Sequence, residues 1–144
     1  MTEPSESISN DALLYRRIIP SWITWEDGKP RPTSEAFKDR REYKLSVVIA
    51  SECSPKRLLR GRPEDSVISI RVSAVRDLGL RVERDFDRDL PGHAVIFPAP
   101  KSAKARTLAQ RADWVQFRDP RSRMFAIKAW IRKAARRLLP VKTD

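Results

Sequence analysis

The only histidine of the chain, His93, follows three aspartates at alternate positions, Asp85, Asp87 and Asp89. Carboxylates in this arrangement can bind a divalent cation for phosphodiester hydrolysis, with the imidazole as general base or ligand. His93, Asp87 and Asp89 are therefore the candidate catalytic residues. The same residues also fit a surface turn, because aspartates beside a Pro–Gly pair are common turn formers.

Cys53 is the only cysteine, and Lys56 and Arg57 follow it closely. Nearby cations lower the pKa of a thiol and can make it a nucleophile, although a lone cysteine also fits a small buried apolar side chain. One cysteine and one histidine cannot supply the four ligands of a usual zinc site. Phosphate-loop, dinucleotide-binding and hydrolase motifs are also missing, so the sequence predicts neither a metal site nor a cofactor.

The segment from Arg121 to Thr143 carries eight basic residues and no acidic residue, whereas the whole chain has a formal net charge of +11. At 100° per residue the segment is predicted to form a helix with one apolar side, which includes Ile127, Ile131 and Leu138. Lys128 lies near the edge of this apolar side, and the opposite side carries the remaining cations. Together they are the predicted nucleic-acid-binding residues: Lys128, Arg132, Lys133, Arg136 and Arg137.

Three interpretations of this helix remain open. Its apolar side can pack on the sheet while its basic side is solvated, because tertiary burial stabilises most protein helices. The basic side can also contact the phosphates of a nucleic acid. Alternatively, the helix can lie in an anionic membrane interface, with Trp130 at the boundary. Nucleic acid or an acidic protein is the expected partner, ahead of a membrane surface.

Basic residues also occur between Arg16 and Arg62, interleaved with aromatic side chains, as in proteins that bind single strands. Acidic residues in the same part of the sequence favour a different interpretation, in which the charges cancel and the aromatics build the core. These acidic residues are Glu26, Asp27, Glu35, Asp39 and Glu42.

The patterning predicts the elements that must hold these residues. Apolar, β-branched runs predict strands at 45–50 and 93–97, and alternation predicts a half-buried strand at 67–72. Capping signals predict a helix from Asn10 to Ile19 and another starting at Ser54, and helical composition predicts a third over 102–112. Without a regular βαβ rhythm, the expected fold is α+β, with a small mixed or antiparallel sheet, flanking short helices and the C-terminal amphipathic helix.

The 144 residues are enough for one domain. We expect a leader at 1–10, an α+β domain at 11–119 and a basic helical tail at 120–144. The serine-rich, acidic start has no apolar stretch of a secretory signal, and a single cysteine suits a reducing compartment. The cytoplasm is therefore the expected location.

Four segments within residues 12–117 resemble a group of small bacterial proteins of unknown activity: LLYRRIIPSW, RPTSEAFKDR, LSVVIAS and PGHAVIF. That resemblance implies no catalytic residue. The early Tyr15–Arg16 pair, followed by a loop and an apolar strand, is also similar to bacterial toxin domains of the RES type, which resemble ADP-ribosyltransferases. This similarity implies an NAD-using transferase in which Arg16 binds the cofactor. A binding protein and a small enzyme, either nuclease or transferase, are the two function classes carried forward.

Overall fold

The computed structural model describes residues 7–38, 43–121 and Ile131. The strands are β1 Leu13–Ile18, β2 Ile23–Glu26, β3 Lys29–Pro32, β4 Leu45–Ile49, β5 Ser66–Arg71, β6 Arg81–Arg84, β7 His93–Phe97 and β8 Asp113–Gln116. The helices are α1 Pro55–Leu58, α2 Val72–Asp77 and α3 Ser102–Arg111, with 3-10 turns at Pro20–Trp22 and Ser34–Phe37.

Six strands form one sheet in the order β6-β7-β4-β1-β5-β8, and β2 and β3 form a separate hairpin. Every pair is antiparallel, which confirms the α+β expectation and decides between its mixed and antiparallel versions. The predicted C-terminal tail lies outside the described residues apart from Pro120, Arg121 and Ile131, and Ile131 is 52% exposed. Within the described part of the chain, no helix is long and apolar enough to cross a bilayer.

The helix predicted between Asn10 and Ile19 is wrong, because this segment forms β1 in the middle of the sheet. Leu14 and Ile18 are four residues apart, a spacing that places side chains on one side of both a helix and a strand. Pairing decides between the two: β1 has β4 on one edge and β5 on the other. Both neighbours satisfy its backbone N–H and C=O groups, as a buried segment requires.

The main core lies on one face of the sheet. Leu14, Ile18, Ile68 and Ile96 from three strands are almost fully buried there, together with Leu108 from α3. Burying each such side chain stabilises the folded state by about 1.5–3 kcal/mol. This packing fixes which side chains of each strand point to the opposite face.

That opposite face is also partly covered, so β5 is not the half-exposed strand that its alternation predicts. Val67 and Ser69 point away from the main core, yet both are buried. The segment between β4 and β5 contains α1 and buries Cys53 and Leu59 outside the main core. This second layer contains the residues of the candidate site.

Candidate functional site

His93 contacts polar groups through both ring nitrogens. Nδ1 lies 2.8 Å from the Asp85 main-chain oxygen and 3.5 Å from Asp85 Oδ2, and Nε2 lies 2.6 Å from Ser46 Oγ. A carbonyl oxygen only accepts hydrogen bonds, so the favoured tautomer carries its proton on Nδ1. Nε2 then accepts the hydroxyl proton of Ser46. Ser46, His93 and Asp85 therefore contact one another in the order in which a nucleophile, a base and a group that orients the base are arranged in covalent catalysis.

The register of β4 and β7 brings Ser46 and His93 together. Ser46 pairs with Val95, and Val48 pairs with His93, so all four side chains point to the same face. Ser46 is exposed, whereas the His93 side chain is only 10% exposed. The hydroxyl is accessible from solvent while the imidazole is held inside the fold.

The turn before β7 holds the third member of this cluster. Asp85 donates its main-chain N–H to the His93 oxygen at 3.0 Å, which brings the chain after β6 beside the start of β7. Gly92 has φ +70 and accepts a hydrogen bond from the Ile49 N–H at 2.8 Å. A non-glycine residue rarely adopts this backbone conformation, so Gly92 permits the close approach of the turn to β4.

Asp87 and Asp89 form the turn instead of joining His93. The Asp87 carboxylate accepts the Asp89 N–H at 2.8 Å, and the Asp89 main-chain oxygen accepts Arg57 Nη2 at 2.9 Å. The structure thus brings Asp85 to the imidazole, while the candidate catalytic residues Asp87 and Asp89 make contacts typical of a turn. Among the described residues, no group of three or more His, Cys, Asp or Glu side chains could hold a metal ion.

Arg16, the residue expected to bind NAD, contacts protein groups on the core side of the sheet. Its Nε donates to the Ala36 oxygen at 2.5 Å, and its Nη1 donates to the Ser46 oxygen at 2.7 Å. Its guanidinium also lies 5.4 Å from the centre of the Trp22 ring. Arg16 and His93 therefore both contact Ser46, one at its main chain and the other at its side chain.

A basic groove lies between the α1 segment and the end of β8. We define it by its five cationic side chains: Lys56, Arg57, Arg60, Arg62 and Arg118. The groove has a volume of about 1090 Å³, and no described Asp or Glu lines it. Glu26, Asp27 and Glu35, which cancel charge in the sequence, therefore do not line the groove.

Two arginines of the basic groove are held by the protein, and three cations are available to a ligand. Arg118 Nη1 donates to the Pro63 oxygen at 2.6 Å, and Arg57 is bonded to the Asp89 oxygen. Lys56, Arg60 and Arg62 are exposed and have no side-chain partner within 7–38 and 43–121. The groove thus combines two arginines held by main-chain oxygens with three exposed charged groups of the type that contact phosphates.

Local capping signals present these cations. Ser54 Oγ accepts the Arg57 N–H at 3.1 Å and starts α1, with Pro55 at its first position. This confirms the helix predicted to begin at Ser54. Gly61, at φ +74, then redirects the chain toward β5. A second hollow of about 360 Å³ adjoins the first and shares Arg57, Arg60 and Arg62 with it.

Cys53 lies beneath this segment and is buried. Burial raises the pKa of its thiol above the ordinary value, and the Arg57 charge only partly opposes that effect. A raised thiol pKa reduces the thiolate fraction at neutral pH, which is the reactive form. Cys53 therefore fits the structural interpretation of a small buried side chain.

The residues predicted to bind nucleic acid from the tail, Lys128, Arg132, Lys133, Arg136 and Arg137, lie outside the described residues. No family model matches the chain, and no curated protein or solved structure is significantly similar to it. Function therefore has to be inferred from the geometry and charge of the chain itself.

Proposed function

We propose that this chain is a binding protein for a polyanion, with nucleic acid as the favoured ligand. The observation that carries the proposal is the basic groove, in which five cationic side chains and no described carboxylate line one concave surface. Each phosphate that enters would release counterions, which makes binding favourable at low salt. The tail supplies a second concentration of positive charge in the same chain.

An extended ligand suits this surface better than a single small anion. The basic groove and the adjoining hollow share Arg57, Arg60 and Arg62, so cations continue from one depression to the next, and Asp89 is the one acidic residue among the described residues that line the hollow. A nucleic acid strand presents phosphates at regular intervals along such a path. An acidic protein presents carboxylates whose spacing depends on the fold of that protein, so they match a continuous row of cations less well.

Fluorescence anisotropy with a labelled single-stranded oligonucleotide tests the proposal across a range of salt concentrations. In the groove variant, Lys56→Glu with Arg60→Glu, we expect weaker binding. The fall of log K with log salt should also be less steep, by about two in the slope. The matched control is Lys104→Glu with Arg106→Glu, on the exposed side of α3, which makes the same change in net charge. Equal losses in both variants would reject the groove as the site.

The tail is tested separately with Arg136→Glu and Arg137→Glu in the full chain. If both surfaces contact one ligand, we expect the losses of binding free energy in the groove variant and the tail variant to be additive when the two are combined. Polyglutamate at the same total charge serves as the competitor that represents an acidic protein. Competition equal to that of unlabelled oligonucleotide would favour an acidic protein partner over nucleic acid.

A further inference from the structure

The cluster around Ser46 is separate in its residues from the basic groove and offers different chemistry. Ser46 Oγ is exposed and lies 2.6 Å from His93 Nε2, within the distance needed for proton transfer to a general base. The Asp85 main-chain oxygen orients the ring, with the Asp85 carboxylate 3.5 Å from Nδ1. Arg16 additionally fixes the main chain of Ser46 through its carbonyl oxygen.

We propose that Ser46 is a nucleophile activated by His93, and that it accepts the acyl group of an activated carboxylic ester. Ser46 Oγ forms a bond to the carbonyl carbon while its proton passes to His93 Nε2. The bond from that carbon to the leaving oxygen then breaks, and His93 returns the proton to the departing alcohol. The acyl group then remains on Ser46, and the transfer needs neither an oxidant nor a metal.

The geometry favours this role over that of an ordinary surface serine. A lone hydroxyl reacts slowly because it is protonated at neutral pH, and an adjacent base contributes about 10²–10⁴-fold to such reactions. Here the base is almost buried and its Nδ1 is held by the Asp85 main-chain oxygen, while Ser46 is exposed to solvent. Three groups from β4, β7 and the turn after β6 are therefore preorganised around one reactive oxygen.

The probe is 4-nitrophenyl acetate, and the readout is the rate of acetylation at each serine, measured by peptide mass spectrometry. Ser102, an exposed serine at the start of α3, is the internal reference in the same sample. We expect Ser46 to be acetylated about 100-fold faster than Ser102 in the unmodified chain. Nitrophenol release is not the readout, because a free imidazole also cleaves this ester.

His93→Gln separates catalysis from a structural hydrogen bond. The glutamine amide can still bond to Ser46 but cannot take its proton, so we expect the rate ratio of Ser46 to Ser102 to fall toward one. Ser46→Ala must remove the fast-reacting site while the chain stays folded, because residue 46 is exposed and the substitution removes only its hydrogen bond to His93. A ratio near one in the unmodified chain, or an unchanged ratio in a folded His93→Gln variant, would overturn the proposal. Loss of oligonucleotide binding in the groove variant leaves this test unaffected.

Discussion

Arg17 Nη1 and Asp65 Oδ2 are joined by a 2.7 Å ion pair that ties the central strand β1 to the residue before β5. The Asp65 side chain is 9% exposed and that of Arg17 is 33% exposed, so the carboxylate is the more deeply buried partner. Arg17 borders the hollow beside the basic groove, but its charge is already neutralised. This pair distinguishes a structural arginine from the unpartnered cations nearby.

Removing the Arg17 side chain should destabilise the fold, because it leaves the Asp65 carboxylate buried without its cation. We expect Arg17→Ala to lower the free energy of unfolding by about 1–3 kcal/mol, measured by urea denaturation. Arg60→Ala, at an exposed position with no partner in the described part of the chain, should change it by less than about 0.5 kcal/mol. Similar values for both variants would show that the ion pair contributes nothing specific.

The Glu52–Arg84 ion pair should make stability depend on pH in acid. Two hydrogen bonds of 2.8 and 2.6 Å from Arg84 hold the pKa of Glu52 below its ordinary value of 4.5. The carboxylate form is therefore favoured in the fold. The contribution of the ion pair to stability is fully present above pH 4.5 and is lost as the pH falls through the lowered pKa of Glu52.

Glu52→Gln provides the measurement for this pair. Since both side chains are more than a third exposed, we expect a cost of only about 0.2–1 kcal/mol at neutral pH. The difference in unfolding free energy between the variant and the unmodified chain should shrink as the pH is lowered. A difference that is constant between neutral and strongly acidic pH would contradict this account.

Gly92 and Gly61 should respond differently to alanine, although both have positive φ. A Cβ at Gly61 meets no atom within 4 Å. Gly61→Ala should therefore lower the free energy of unfolding only by the cost of the left-handed backbone conformation, about 1–2 kcal/mol. A Cβ at Gly92 would lie 2.6 Å from Glu52 Cβ and 3.3 Å from the Ile49 oxygen. Gly92→Ala should therefore cost about 1–3 kcal/mol more, measured by thermal or urea unfolding. Equal costs at the two positions would contradict the close approach of the turn.

Cys53 should react slowly with thiol reagents in the folded chain. The side chain is buried, and burial raises the pKa of its thiol, so both access and thiolate fraction are low. We expect labelling by a disulfide reagent at neutral pH to follow unfolding, with a large rate increase in urea. Rapid stoichiometric labelling without denaturant would instead support the reactive-thiol hypothesis.

Local patterns predict the parts of the fold that local chemistry determines. The run from Leu45 to Ile49 and the strand from His93 to Phe97 were predictable because apolar, β-branched residues lie between turn residues. The start of α1 was predictable because Ser54 and Pro55 form a standard helix beginning. In contrast, β1 was not, since its apolar spacing fits both helix and strand and only its two neighbours decide.

The candidate sites depend on contacts that no local pattern contains. Ser46 and His93 are 47 residues apart, and a serine within an apolar strand gives no sign of a reactive partner. Arg118 reaches the Pro63 oxygen from 55 residues away, so the basic groove exists only after β8 has paired with β5. Counting charges along the sequence therefore cancelled cations against acids such as Glu26, Asp27 and Glu35, which do not line the groove.

The position of β1 between β4 and β5 has a consequence for how the sheet assembles. Tyr15 pairs with Val48 on one side and with Ser69 on the other, so β1 precedes both of its partners in the chain. Each pairing closes a long loop and loses chain entropy before its contacts can compensate. During synthesis, β1 has neither of its sheet partners until β4 and β5 have left the ribosome. We therefore expect slow folding, on the millisecond-to-second scale typical of sheets with distant partners, and a late, cooperative appearance of both candidate sites.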